Sequence, residues 1–67
     1  MGSLTSIAAE LGGAAEIVDS YRRRVSALLR PLTTDEREDL VTAIIEAERA
    51  LSSAGRALER ARRLATS

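Results

Sequence analysis

Hydrophobic residues recur at alternating spacings of three and four along almost the whole chain. Such spacing places side chains on one stripe of an α-helix, and its persistence over several heptads is typical of helices that pack lengthwise. Pro31 divides the pattern, because proline ends a helix. The two runs form a candidate core seam, meaning the line of contact between the helices: Leu4, Ile7, Leu11, Ala14, Val18, Tyr21, Val25 and Leu28, then Leu40, Ile44, Ala47, Leu51, Ala54, Leu58, Ala61 and Ala65.

Polar residues near the ends of these runs set the expected helix boundaries. Ser3 or Thr5 is a candidate N-cap for the first helix. Thr33 and Glu36 have the spacing of a capping box for the second. The connection between the runs is short, which forces the helices antiparallel. We therefore predict one domain over residues 1–67, with a first helix at about 4–30, a turn at 31–33 and a second helix at about 34–65.

The antiparallel arrangement also predicts a register. If Leu28 lies beside Arg37, Val18 pairs with Ala47, and large side chains face small ones at several levels of the seam. Alternation of this kind fills a helix–helix contact without voids. The predicted fold class is all-α, an antiparallel two-helix hairpin that resembles a coiled coil.

A second apolar stripe lies beside the seam and is a candidate association face. It widens the apolar surface beyond what one partner helix can cover. Two hairpins that dimerise into a four-helix bundle would cover it. The alternative is a monomeric hairpin in which alanines are only good helix formers on a half-exposed flank. The residues of this face are Ala43, Ala50, Ala57 and Leu64, with Val41, Ile45 and Ile17 on its flanks.

The composition favours association over catalysis. A chain of 67 residues with one aromatic side chain builds only a small core. Cysteine and histidine are absent, which removes the commonest metal ligands and the commonest general base. No set of nucleophile, base and orienting group can be assembled from the remaining residue types. We expect a protein that is not an enzyme and holds no cofactor and no metal.

Charge and hydropathy bear on partners and location. The formal net charge is zero, which argues against nucleic acid and against a membrane surface as partner. The first residues do not resemble a signal peptide, and no apolar run approaches the length of a membrane span. We therefore expect a cytoplasmic protein. All ten basic residues are arginine, which is typical of GC-rich genomes and suggests a bacterial source.

Two arginine clusters are the most conspicuous polar features. The functional interpretation is an anion site, since arginine binds phosphate and carboxylate groups well. The structural interpretation is that Asp19 and Glu59 pair with them at helical spacing, near helix ends that favour cations. In the predicted register the clusters lie toward opposite ends and do not form one groove. The candidate anion site is Arg22, Arg23 and Arg24, and the second cluster is Arg56, Arg60, Arg62 and Arg63.

One segment of the first helix resembles a known signature. Glu16, Ser20 and Arg23 match the first part of the Glu-x3-Ser-x2-Arg-x3-Gln-x3-Asp pattern of helical-hairpin anti-sigma factors that bind cyclic di-GMP. In that family the signature residues contact the dinucleotide. Here Ala27 and Pro31 stand at the glutamine and aspartate positions, so the part that contacts guanine is missing.

These observations together predict a small non-catalytic protein–protein interaction module. We expect it to associate with itself, most simply as a homodimer, or to act as an accessory or regulatory subunit of a larger assembly. Tyr21 is then an anchor of the core or of the interface, since its ring is apolar and its hydroxyl can reach the rim. Two alternatives stay open: a regulator that binds a nucleotide or nucleic acid through its arginines, and an antitoxin-like or anti-sigma-like hairpin that sequesters one partner protein.

Overall fold

The computed structural model describes residues 3–32 and 37–67, which form two α-helices and no strand. The helices are α1, Leu4–Ala27, and α2, Glu38–Thr66. They pack lengthwise against each other in a rod of 52 × 16 × 14 Å. This confirms the all-helical hairpin.

Helix α1 begins as its sequence predicts. Ser3 is the N-cap in an extended conformation, and its hydroxyl oxygen accepts a hydrogen bond from the backbone N–H of Ser6 at 3.1 Å. This bond satisfies one of the free N–H groups that every helix leaves in its first turn. Of the two candidate caps, the structure therefore selects Ser3.

Helix α1 ends at Ala27, three residues before the predicted end at residue 30. The next backbone N–H groups turn back by three residues: those of Leu28, Leu29 and Arg30 donate to the carbonyls of Val25, Ser26 and Ala27. Pro31 disfavours the helical conformation in the residue before it, and last turns commonly tighten in this way. The influence of the proline thus reaches further back than the predicted boundary assumed.

Helix α2 begins at Glu38, and Arg37 occupies the N-cap position without accepting a capping hydrogen bond from a helix N–H group. The predicted start at residue 34 and the predicted capping box of Thr33 and Glu36 lie outside the described residues. Glu38 and Asp39 place negative charge in the first turn, where the helix dipole favours it. The helix runs to Thr66, one residue past its predicted end.

The register between the helices differs from the predicted one. Val18 lies opposite Gly55, whereas the predicted register placed it opposite Ala47, eight residues earlier on α2. The prediction assumed that the helices are joined by a tight turn, but α1 ends early and residues 28–37 connect them. Three contacts define the register: Arg22 Nη1 with Glu48 Oε2 at 3.5 Å, Val18 Cγ1 at 3.9 Å from an ideal Gly55 Cβ position, and Arg62 Cδ at 3.2 Å from an ideal Gly12 Cβ position.

Small residues hold the centre of the contact. Among the described residues only Ala8 and Ala15 are buried, with 7% and 6% of their surface exposed. Gly12 and Gly55 also lie in the contact, beside Arg62 and Val18. Small side chains let two helix backbones approach closely. Several predicted seam residues flank this centre and are half-buried: Leu11, Ala14, Val18, Val25, Ile44, Leu51, Leu58, Ala61 and Ala65.

Other residues of the predicted seam do not lie in the contact between α1 and α2. Each helix is rotated so that the position after the predicted one faces the neighbour, as Ala8 and Ala15 do in place of Ile7 and Ala14. The alanines allow a closer approach than the larger side chains would, and these turn outward. The exposed members are Leu4, Ile7, Tyr21, Leu28, Leu40, Ala47 and Ala54.

Candidate interaction face

The outward-turned residues of the two helices lie on the same side of the hairpin. Ala15 and Gly55 mark the contact, so the positions one residue earlier are rotated about 100° away from it on each helix. Because the helices run in opposite directions, a rotation of the same sense on each leads to the same side of the pair. We call this side the apolar face; its residues are Ile7, Ala14, Tyr21 and Leu28 of α1 and Leu40, Ala47, Ala54 and Ala61 of α2.

The predicted association face is placed partly on this surface. Ala43, Ala50, Ala57 and Leu64 are exposed and continue the apolar face along the outer side of α2, with Leu64 69% exposed. On α1, Ile17 is exposed at the opposite outer edge. Val41 and Ile45 are half-buried, and their helical positions put them on the other side of the contact. These two residues therefore do not belong to the apolar face.

Tyr21 is the largest side chain of the apolar face, and 51% of its surface is exposed. The guanidinium carbon of Arg24 lies 4.9 Å from the centroid of its ring. A cation over a ring face is attracted by the aromatic quadrupole and helps to hold the ring in place. Arg24 therefore marks the outer edge of the apolar face, apart from the other two arginines of its cluster.

The opposite side of the hairpin carries an open groove of about 1000 Å³ with charged walls, which we call the charged groove. Both helices contribute to it, which corrects the prediction that the two arginine clusters do not share a groove. The shifted register brings the second half of α2 beside the middle of α1. The lining residues are Ala15, Glu16, Asp19, Arg22 and Arg23 of α1, and Ser52, Gly55, Arg56, Glu59 and Arg63 of α2.

Ion pairs inside the chain occupy much of this charge. Asp19 pairs with Arg22 at 3.2 Å and with Arg23 at 3.4 Å. Glu59 pairs with Arg62 at 2.9 Å. Three of the four pairs expected at helical spacing are therefore present, and the fourth, between Glu59 and Arg63, is not formed. Of the three residues that resemble the anti-sigma signature, Glu16 and Arg23 line the groove, but Ser20 does not.

In the described parts of the chain, no cluster of three or more acidic side chains is arranged to hold a metal ion. Within the same residues, neither helix combines the length and hydropathy needed to cross a membrane. Comparisons of the chain with models of protein families, with curated proteins and with solved structures find no significant match.

Proposed function

We propose that this chain is a non-catalytic protein–protein interaction module that works through its apolar face. In this proposal two hairpins dimerise into a four-helix bundle in the cytoplasm. The bundle then acts alone or as an accessory or regulatory subunit of a larger assembly. The observation that carries the proposal is the row of large apolar side chains, Ile7, Tyr21 and Leu28, which the hairpin itself leaves exposed.

The size of the face supports this role. The broad side of the hairpin is 52 Å long and 16 Å wide, an outline of about 800 Å² that includes polar as well as apolar side chains. Each partner of a specific protein complex buries about this much accessible surface. Contiguous apolar patches larger than a few hundred Å² are rare on monomeric proteins and mark interaction sites. The hairpin is therefore large enough on this side for a stable interface.

The small interior of the hairpin also supports a role in interaction. The described residues bury two alanines and no larger side chain. Full burial of a leucine, isoleucine or valine side chain contributes about 1.5–3 kcal/mol. The hairpin alone gains little of this, and a partner on the apolar face would supply it. In this proposal the folding of the hairpin is coupled to the burial of its apolar face against a partner.

The direct test is a pair of adjacent substitutions on α2. Ala54→Glu places a charge at the centre of the apolar face, whereas Ser53→Glu places the same charge on an exposed position outside it. Light scattering should give twice the 7.2 kDa chain mass for the wild type and for Ser53→Glu. Ala54→Glu should give the monomer mass, since burial of an unpaired carboxylate is strongly unfavourable. An equal mass for both variants would contradict the proposal.

Sequestration of a different protein is an alternative use of the same face. A hairpin of that kind would be a monomer or a weak dimer that captures one partner from a lysate. Ala54→Glu would then abolish the capture, and Ser53→Glu would not. The solution mass of the wild type separates the two uses, because only self-association gives a dimer at micromolar concentration without a partner.

The charged groove supports a second candidate function, the binding of an anionic ligand. Arg23, Arg56 and Arg63 from two helices line one groove, as a phosphate-bearing ligand would require. Replacement of these three arginines by glutamine should abolish binding to a panel of nucleotides and short nucleic acids at low salt. Because Glu16, Asp19 and Glu59 line the same groove, we favour the apolar face as the functional surface.

A further inference from the structure

The two helices contribute side chains of different size to the apolar face. Helix α1 presents three large residues, Ile7, Tyr21 and Leu28, with the small Ala14 between the first two. Helix α2 presents exposed alanines along most of its length, among them Ala47 and Ala54. One long edge of the face is thus raised and the other is low. This asymmetry restricts how a second copy can cover the face.

Two face-to-face arrangements with twofold symmetry are available to a pair of hairpins. If the twofold axis is perpendicular to the helices, α1 lies on α1 and α2 on α2, with the loops at opposite ends. The helix with the larger side chains then lies on its own copy along one edge, while the alanines of α2 face each other along the other edge and leave a gap. If the axis is parallel to the helices, α1 of each copy lies on α2 of the other, and the loops are at the same end.

The heights of the residues favour the second arrangement. Measured from the Val18–Gly55 contact at 1.5 Å per residue, Tyr21 lies about 3 Å from the level of Ala54. Leu28 lies about 3 Å from the level of Ala47 on the same scale. A parallel twofold axis keeps these levels unchanged, so Tyr21 and Leu28 of one copy each meet a small residue of the other.

Given the proposed self-association, we propose that the two copies pack with their loops at the same end and with α1 of each against the alanines of α2 of the other. In this bundle every neighbouring pair of helices is antiparallel. Tyr21 and Leu28 of one copy face Ala54 and Ala47 of the other, while Ala14 lies near the level of Ala61, where two small residues meet. Close packing without voids needs such alternation. The raised edge of one hairpin fills the low edge of the other, which makes the face complementary to itself.

Distances between paired spin labels test this arrangement. The chain has no cysteine, so single cysteines can be introduced at Glu38 and, in a second variant, at Ser67. Both residues are exposed and mark opposite ends of α2. With the loops at the same end, each label lies diagonally across the bundle from its counterpart, about 20–30 Å away, since packed helices are 8–10 Å apart. With the loops at opposite ends, the distance is about 45 Å, roughly the length of α2.

Short distances at both sites would support the inference. A distance near 45 Å at either site, in a protein of dimer mass, would overturn the arrangement while leaving the proposed self-association intact. The monomer mass with no dipolar coupling at the highest concentration would overturn both. Two controls accompany the measurement: circular dichroism of each labelled variant, and dilution into excess unlabelled protein, which must remove the coupling.

Discussion

The two long sides of the hairpin are built from the same two helices. They differ in how many of their side chains find a partner within the chain. On the charged side, Asp19 and Glu59 already pair with neighbouring arginines. On the apolar face, Tyr21 and Leu28 stay half exposed, and Arg24 lies over the tyrosine ring. The difference teaches that ion pairs within one chain satisfy part of the charged side, whereas the apolar face keeps its large side chains uncovered, as the proposed interaction would require.

The free energies of the two kinds of interaction also differ. An exposed ion pair contributes about 0.2–1 kcal/mol, and the pairs of the charged groove are all partly exposed. Burial of one large apolar side chain contributes about 1.5–3 kcal/mol. Covering the apolar face therefore changes the free energy of the protein far more than any rearrangement of the charged groove.

The largest effect should come from a wider side chain in the contact between the helices. Ala15→Leu places extra carbon atoms where the backbones approach closely, because Ala15 is 6% exposed. We expect a loss of about 1–3 kcal/mol in the free energy of unfolding, the usual result of overpacking. Urea denaturation followed by circular dichroism measures it.

The matched control for this change is Ala9→Leu, on the exposed side of α1. It adds the same atoms outside the contact and should change the unfolding free energy by less than about 0.5 kcal/mol, as surface substitutions usually do. Equal effects at the two positions would show that the small residues do not form the contact, and the distinction between the two sides would then need revision.

Tyr21→Ala should weaken self-association more than it weakens the hairpin. The ring is half exposed in the single chain, so little is lost there, whereas an aromatic anchor in an interface contributes about 2 kcal/mol or more. This corresponds to a rise of about 30-fold in the dimer dissociation constant for each ring lost, and a homodimer loses two. Sedimentation equilibrium can measure the change.

Arg24→Ala separates the ring from its cation. It removes the contact at 4.9 Å and leaves the tyrosine. We expect a loss of about 0.5–1 kcal/mol in the free energy of dimerisation for each copy, measured by the same sedimentation equilibrium. If Arg24→Ala proved as damaging as Tyr21→Ala, the cation rather than the apolar surface would be the main contributor at this point of the face.

Three glycines in helix interiors provide a graded test of the contact. A Cβ on Gly13 would meet nothing within 4 Å, one on Gly55 would lie 3.9 Å from Val18, and one on Gly12 would lie 3.2 Å from Arg62. Alanine stabilises a helix by up to about 1 kcal/mol over glycine. We expect Gly13→Ala and Gly55→Ala to stabilise the protein by about this amount, and Gly12→Ala by less because Arg62 must shift. Thermal unfolding gives the order, and a reversed order would contradict the register.

Sequence periodicity predicts the two helices well, because it depends on local spacing and on one proline. It does not predict which of two neighbouring stripes faces inward. The strict three-and-four spacing of large residues selects Ile7 and Tyr21, whereas the hairpin packs on Ala8 and Ala15. The spacing of Ala8, Gly12 and Ala15 is the signal that could have indicated this contact, since small residues one turn apart permit close approach of helices.

The charged groove could not be predicted for a related reason. Its composition depends on the register, and the register depends on where α1 ends. An end at residue 30 with a tight turn keeps Arg23 and Arg63 apart, whereas the observed end at Ala27 and the longer connection put both beside one groove. Which residues of α1 lie beside which residues of α2 depends on the length of the connection. The periodicity of the sequence gives no information about that length.

The smallest predicted effect on stability arises in the first turn of α2, at Asp39. Arg37 donates a hydrogen bond to Asp39 Oδ1 at 3.2 Å, and the backbone N–H of Leu40 donates to the same oxygen at 2.8 Å. The arginine, followed by this backbone bond, lowers the pKa of Asp39 below its ordinary 3.8. A lowered pKa means that the carboxylate stabilises the fold above about pH 4 and that this contribution is lost as the pH falls through the lowered value.

The wild type should therefore be more stable than Asp39→Asn at pH 7, and the difference should disappear in acid. Urea denaturation of both proteins at pH 7 and at about pH 2.5 measures it. In an Arg37→Gln background the difference at pH 7 should shrink, because the larger cause of the lowered pKa is gone. Leu40 of the apolar face takes part here only through its backbone N–H, and its side chain is unchanged in Asp39→Asn, in Arg37→Gln and in the double variant. The dimer dissociation constant should therefore stay unchanged in all three. A change in that constant would show that the start of α2 takes part in the interface.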